Sequence, residues 1–166
     1  MGTPTEITYA DIQGVVKTLM GQSAKMFTPN IEGAAKFGTA PVRAAFWAMA
    51  HTDILDDLED IDEFTSVANY PAKRGIADSE WGAIGNTRWL LSPLGYESSS
   101  IYSCFIVGRD AYGVSKIEQG VSGSIFKPLG HGDDPLNQRC TQGWKTYYAA
   151  RILNDNWMVN LKVTHS

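Results

Sequence analysis

Apolar positions recur along this chain in two periods, and the change of period divides it. In "EITYADIQGVVKTLMGQSAKMF" the residues Ile12, Val15, Val16, Leu19 and Met20 fall at helical spacing, which makes one face of a helix apolar. Thr8 stands where an N-cap is needed, and Asp11 follows three positions later as an acidic partner for a capping box. The spacing predicts a helix over residues 9–26, about 25 Å long, ended by Thr28-Pro29. Gly14 and Gly21 each weaken it by about 1 kcal/mol relative to alanine, so it depends on packing. "APVRAAFWAMAH" (Ala40 to His51) then reads as a strand. It is followed by two short helices whose apolar face is Ile54, Leu55, Leu58, Ile61 and Phe64.

From Trp81 onward the period is two. "AIGNTRWLLSP" predicts a strand, a tight turn at Gly85-Asn86 and a second strand stopped by Pro93. "SIYSCFIVG" is an apolar run expected as a buried strand. "RDAYG" reads as a short turn of helix, "VSKIE" and "SIFKP" as strands, and "LGHGDDPLNQ" as a loop. Near the end, Trp144, Thr146, Tyr148, Ala150 and Ile152 alternate with Lys145, Tyr147, Ala149, Arg151 and Leu153. Trp157, Val159, Leu161 and Val163 alternate in turn with Met158, Asn160 and Lys162. Asn154-Asp155 between the two runs predicts a hairpin, its first strand roughly 30 Å long, with the N-terminal helix as its cover. Helix, strand, helices and then many strands make an α+β protein.

Composition narrows the classes. The 166 residues suffice for one domain, or one with a lobed extension. A chain of this size buries roughly 70% of its unfolded surface, so no disulfide or metal staple is required. The formal net charge is -4 with scattered basic residues, unlike the basic stripe of a nucleic-acid binder. No apolar run reaches the roughly 20 residues of a membrane helix, and no signal-peptide core follows Met1-Gly2. Cys104, inside "IYSCFIV", reads as a small buried hydrophobe, and it lies far from Cys140 in sequence.

The residues carry little chemistry. His51, His131 and His165 do not pair at metal-ligand spacing, and there is no CxxC, HExxH or phosphate loop. "GVSGS" falls short of a nucleophile elbow, because Ser124 stands at its last position. In "GHGDD", His131 with Asp133 or Asp134 is the best acid/base candidate for a hydrolase. A glycine-bracketed surface turn explains the same residues. Asp110 and Tyr112 in "RDAYG" read equally well as a turn with a packed tyrosine. Asp53, Asp56, Asp57, Glu59, Asp60, Asp62 and Glu63 crowd one stretch and read as a solvated face. A calcium loop needs a turn glycine that this stretch lacks. No catalytic, cofactor-binding or metal-binding residue is assigned, and the expectation is a protein that is not an enzyme.

A resemblance sharpens this. "DPLNQRCTQGWKTYYAARILNDNWMVNLKV" resembles the C-terminal segment of the major capsid proteins grouped with that of coliphage N-four. "FIVGRDAYG", "EWGAIGNTRWLLSP", "AFWAMAHTDILDDLEDIDEF" and "ITYADIQGVVKTLMGQSAKMFTPNI" resemble earlier segments of that family, in the same order over residues 6–163. Many members carry proline where Thr52 stands here. The resemblance implies the tailed-phage capsid (Hong Kong 97-like) fold, with spine helix, long β-hairpin and axial domain. It implies residues 1–39 as spine helix and lead-in, 40–128 as mostly axial domain, and 129–166 as peripheral hairpin and C-terminus. The implied function is structural: a virion shell subunit, present in the host cytoplasm during assembly and needing no cofactor. Implied partners are copies of itself in hexamers and pentamers, together with portal, scaffold or decoration proteins and the packaged DNA nearby, with no membrane. Family members usually carry an arm and an extended loop before this helix, so assembly is expected when that region is supplied. A shell-forming compartment or binding domain of cellular origin is the alternative.

Overall fold

The computed structural model describes residues 4–27, 44–70, 75, 77–116, 123–132, 135–145 and 147–165. The chain divides into two units, Met1–Ala111 with Leu153–Ser166, and Tyr112–Ile152. The protein is mixed α+β, with many more strands than helices.

The first unit opens with helix α1 (Tyr9–Gly21), shorter than the expected 9–26. Its N-terminus is the capping box that the sequence predicts. The Thr8 side chain accepts from the Asp11 backbone N–H, and the Asp11 carboxylate accepts from the Thr8 N–H at 3.2 Å. Ile12, Val15, Val16 and Leu19 are buried, while Met20 is exposed. The chain then runs through β1 (Phe46–His51), a single 3-10 turn and α2 (Leu55–Glu59). β2 (Phe64–Ser66), β3 (Glu80–Ile84), β4 (Thr87–Ser92), β5 (Glu97–Ser98) and β6 (Ile101–Val107) follow. The rest of the expected strand before β1, residues 40–43, lies outside the described residues.

The strands form one seven-stranded sheet. Its order is β11-β6-β1-β4-β3-β2, where β11 is Met158–Thr164, and β5 pairs with β6. β1 and β4 are parallel and the other pairs antiparallel. Register partners share a face, and one face is continuous across the sheet. Ile84 meets Thr87, Ala48 meets both Trp89 and Ile106, and Ile106, Cys104 and Tyr102 meet Val159, Leu161 and Val163. These residues, α1 and the buried Ile54 and Leu58 make one hydrophobic core.

Local devices fix this arrangement. The β3–β4 turn uses Gly85 at φ 56°, a left-handed conformation that glycine adopts without strain. Asn86 ties that turn to the approach of β1: its side chain donates to the Ala44 carbonyl at 3.0 Å, and its carbonyl accepts from the Phe46 N–H at 2.9 Å. A register shift between Glu80 and Gly82 turns Trp81 outward, as bulges do. The Trp81 indole then donates to Glu59 at 2.8 Å.

The second unit differs from expectation. The runs 144–153 and 157–163 do not pair as a hairpin. The first is two strands, β9 (Thr141–Lys145) and β10 (Tyr148–Ile152), with different partners. β10 pairs antiparallel with β7 (Tyr112–Lys116), and β9 with β8 (Gly123–Lys127). The pairs are nested in sequence, and each is an antiparallel two-stranded ribbon. Asn154 does turn the chain, capping a 3-10 turn at Asp155–Trp157, but beyond it β11 pairs with β6. "RDAYG" is not helical either. Arg109 bridges to Lys25, Asp110 sits at φ 65°, and Tyr112 begins β7.

Candidate interaction surface

At the end of β1, His51 Nδ1 lies 3.1 Å from the Asp53 N–H and 3.2 Å from Asp53 Oδ2. It can accept from the first or donate to the second, not both at once. The Tyr102 hydroxyl donates to the same carboxylate at 3.0 Å, which raises its pKa, and its ring tilts against His51 with centroids 5.5 Å apart. His165 reaches Asp57 at 3.0 Å; this hydrogen bond raises the histidine pKa, partly opposed by desolvation. Asp57 is thus only 8% exposed in its side chain, an exception to the expected solvated acidic face. These contacts pin β1 and the C-terminus to the α2 region, 108 residues apart in sequence for His165 and Asp57.

A third cluster is buried. Arg88 Nη1 meets Glu80 Oε1 at 2.6 Å, with side chains 2% and 0% exposed. The Tyr70 hydroxyl donates to the same oxygen at 2.9 Å, and the guanidinium lies 5.2 Å from the Tyr70 ring centroid. Burial, then the Glu80 charge, pushes the Tyr70 pKa far up, which keeps its proton on the oxygen as donor. This cluster is closed to solvent and holds the bulged β3 against β4.

Of the acid/base candidates His131, Asp133 and Asp134, His131 alone lies among the described residues. His131 is exposed in a turn, its backbone N–H donating to the Pro128 carbonyl at 3.3 Å. Asp133 and Asp134 lie outside the described residues. Asp110 is exposed, with its carboxylate 3.9 Å from its neighbour Arg109. Cys104 is buried, which pushes its thiol up to about 12, and Cys140 is exposed; both are free. Among the described residues no group of three or more His, Cys, Asp or Glu side chains could hold a metal ion. None of their helices is long and apolar enough to cross a membrane. Trp89 is core, Trp47 is half-buried against Phe27, and Trp81 is exposed.

The ribbons are the feature that sequence reasoning placed on the wrong partners. In β7–β10 the register sets Tyr112 opposite Ile152, Val114 opposite Ala150 and Lys116 opposite Tyr148. Tyr112, Val114, Ala150, Ile152 and Tyr148 therefore share one face, and Gly113, Ser115, Ala149 and Arg151 the other. In β8–β9, Ser124, Phe126, Gln142 and Trp144 share a face, with Gln142 donating to Ser124 at 2.7 Å. Ile125, Lys127, Thr141 and Lys145 take the opposite face. Such amphipathic strands normally bury the apolar side, yet no described side chain of this unit is buried. Trp144 is 78% exposed, Tyr148 71% and Phe126 62%. The matching alternation of Tyr112 and Val114 with Tyr148 and Ile152 was a usable sequence signal, but it links segments more than thirty residues apart. No protein-family model and no curated protein matches this chain.

Proposed function

We propose that the chain is a structural subunit of a phage capsid, with the Hong Kong 97-like fold, that works by association rather than by bond chemistry. In this reading α1 is the spine helix, and the protein resides in the virion shell after assembly in the host cytoplasm. One observation carries the self-association: the two ribbons of Tyr112–Ile152 present aromatic side chains, with none of their described side chains buried. An isolated two-stranded ribbon is marginal in water, so a surface of this kind calls for a partner. Contacts of moderate strength, repeated by symmetry, sum to a stable closed assembly. The viral assignment rests on the ordered sequence resemblance over residues 6–163.

Light scattering over a concentration series, with electron microscopy of any large species, tests it. Rings or shells are expected once the family's N-terminal arm and loop are supplied. A chain that stays monomeric with that region present overturns the proposal.

A further inference from the structure

The end of β11 is held by two contacts that do not belong to the sheet. The Thr164 N–H donates to the Thr5 carbonyl at 3.0 Å, away from its register partner Ile101 on β6. One residue later, His165 Nδ1 lies 3.0 Å from Asp57 Oδ2 in the middle of α2. The Asp57 side chain is 8% exposed and that of His165 35%. The carboxylate is therefore set in the fold, while the imidazole stays open to solvent protons. β11 is the end strand of its sheet. Its last N–H is tied to the lead into α1, and the side chain that follows is tied to α2.

The charges that act on this imidazole share one sign. Among the described residues they are Asp57 and Asp56 on α2, and Asp53 in the 3-10 turn before it. Asp53 is already committed, since it accepts from the Tyr102 hydroxyl at 3.0 Å and lies 3.2 Å from His51. Asp57 thus supplies the hydrogen bond, and its two neighbours add to the field. A protonated imidazole makes a charge-assisted bond there, about twice as strong as the neutral bond that remains after deprotonation. The contact raises the proton affinity of His165, chiefly through the Asp57 hydrogen bond and against some desolvation. By linkage the converse holds: protonation tightens the contact. The contact is therefore fully present below the ordinary histidine value of 6.5, and it weakens as pH rises through the raised one.

We propose that His165 and Asp57 form a proton-operated clasp, closed when the imidazole is protonated and opened by its deprotonation, which frees the end of β11 from α2 and from Thr5 while the sheet stays folded. Opening leaves the Thr164 N–H and the Thr5 carbonyl to solvent. It lengthens the unpaired edge of an end strand, the kind of edge to which a further strand can add.

Amide hydrogen exchange of the full chain, followed by NMR from pH 5.5 to 8.5, tests it. Protection factors are compared, so that the base-catalysed intrinsic rate divides out. Protection of the Thr164 N–H is expected to fall by roughly threefold, in step with the titration of the His165 ring. Protection of the Ala48 N–H, in the buried interior of the sheet, should stay constant. His165→Asn can still donate to Asp57 but does not titrate, and should give Thr164 a protection independent of pH. Asp57→Asn should hold Thr164 at the lower, high-pH level throughout. Constant protection of Thr164 in the wild type overturns the inference. A pH response that survives in His165→Asn assigns the effect to another group, such as His51, and also overturns it. So does a full response in Asp57→Asn, or a parallel loss at Ala48, which means that the whole sheet opens rather than its end.

Discussion

Replacing Glu80 by alanine removes the carboxylate that Arg88 faces in the sheet. The guanidinium has few other resources there: Nε and Nη2 have no hydrogen-bond partner, and the side chain is 2% exposed. It cannot reach water without moving strand β4, and it does not deprotonate. Breaking a buried pair by removing one member costs about 3–5 kcal/mol, because a charge is left uncompensated. The Tyr70 hydroxyl also loses its acceptor, a further cost of about 1 kcal/mol unless it rotates toward solvent. A total near 5 kcal/mol is a large part of the roughly 5–15 kcal/mol that holds a domain folded. With a urea slope of about 2 kcal/mol per molar, the midpoint should fall by about 2.5 M. Tryptophan fluorescence reads this, since Trp89 is fully buried in the same sheet. Glu80→Gln keeps the shape and one acceptor, and should lose about half as much. The pair Glu80→Leu with Arg88→Met removes both charges and should recover most of the loss, since apolar replacement of buried pairs is often neutral. A loss under about 1 kcal/mol for Glu80→Ala, or a double variant no better than the single one, refutes the reasoning.

Three further outcomes follow from named contacts. Thr8→Ala removes the N-cap side chain of α1 and should destabilise the first unit by about 1 kcal/mol in urea unfolding. In thiol labelling of the native protein, Cys140 should react at once and Cys104 only on unfolding. The Cys104 thiol ordinarily titrates at 9.0 and is pushed up to about 12 when folded. Its contribution is therefore intact below pH 9 and is lost as pH rises through that window. The His165 pKa is raised by Asp57 in the folded state, so its contribution is full below the unfolded value and fades as pH rises through the folded one. Urea midpoints compared across that range should show a dependence that His165→Asn flattens.

What the sequence determined by itself is the set of elements whose code is local. The Thr8–Asp11 capping box and the 12, 15, 16, 19 spacing set where α1 begins and which side it buries. Gly85-Asn86 set the β3–β4 turn, and the alternation of Val159, Leu161 and Val163 set the inward face of β11. Each of these depends on residues within a few positions of one another. Pairing is different, because every backbone N–H and C=O offers the same hydrogen bond whatever its side chain. Asn154-Asp155 therefore read as a hairpin turn, while the tertiary structure gave β10 to β7 and β11 to β6. Core burial decided the second choice, since Val159, Leu161 and Val163 join Ile106, Cys104 and Tyr102 on the face that α1 covers. The same long-range geometry alone brought Asp57 to His165 and Glu80 to Arg88 and Tyr70. Tyr148 and Trp144 are exposed, where alternation in the sequence had promised a buried side.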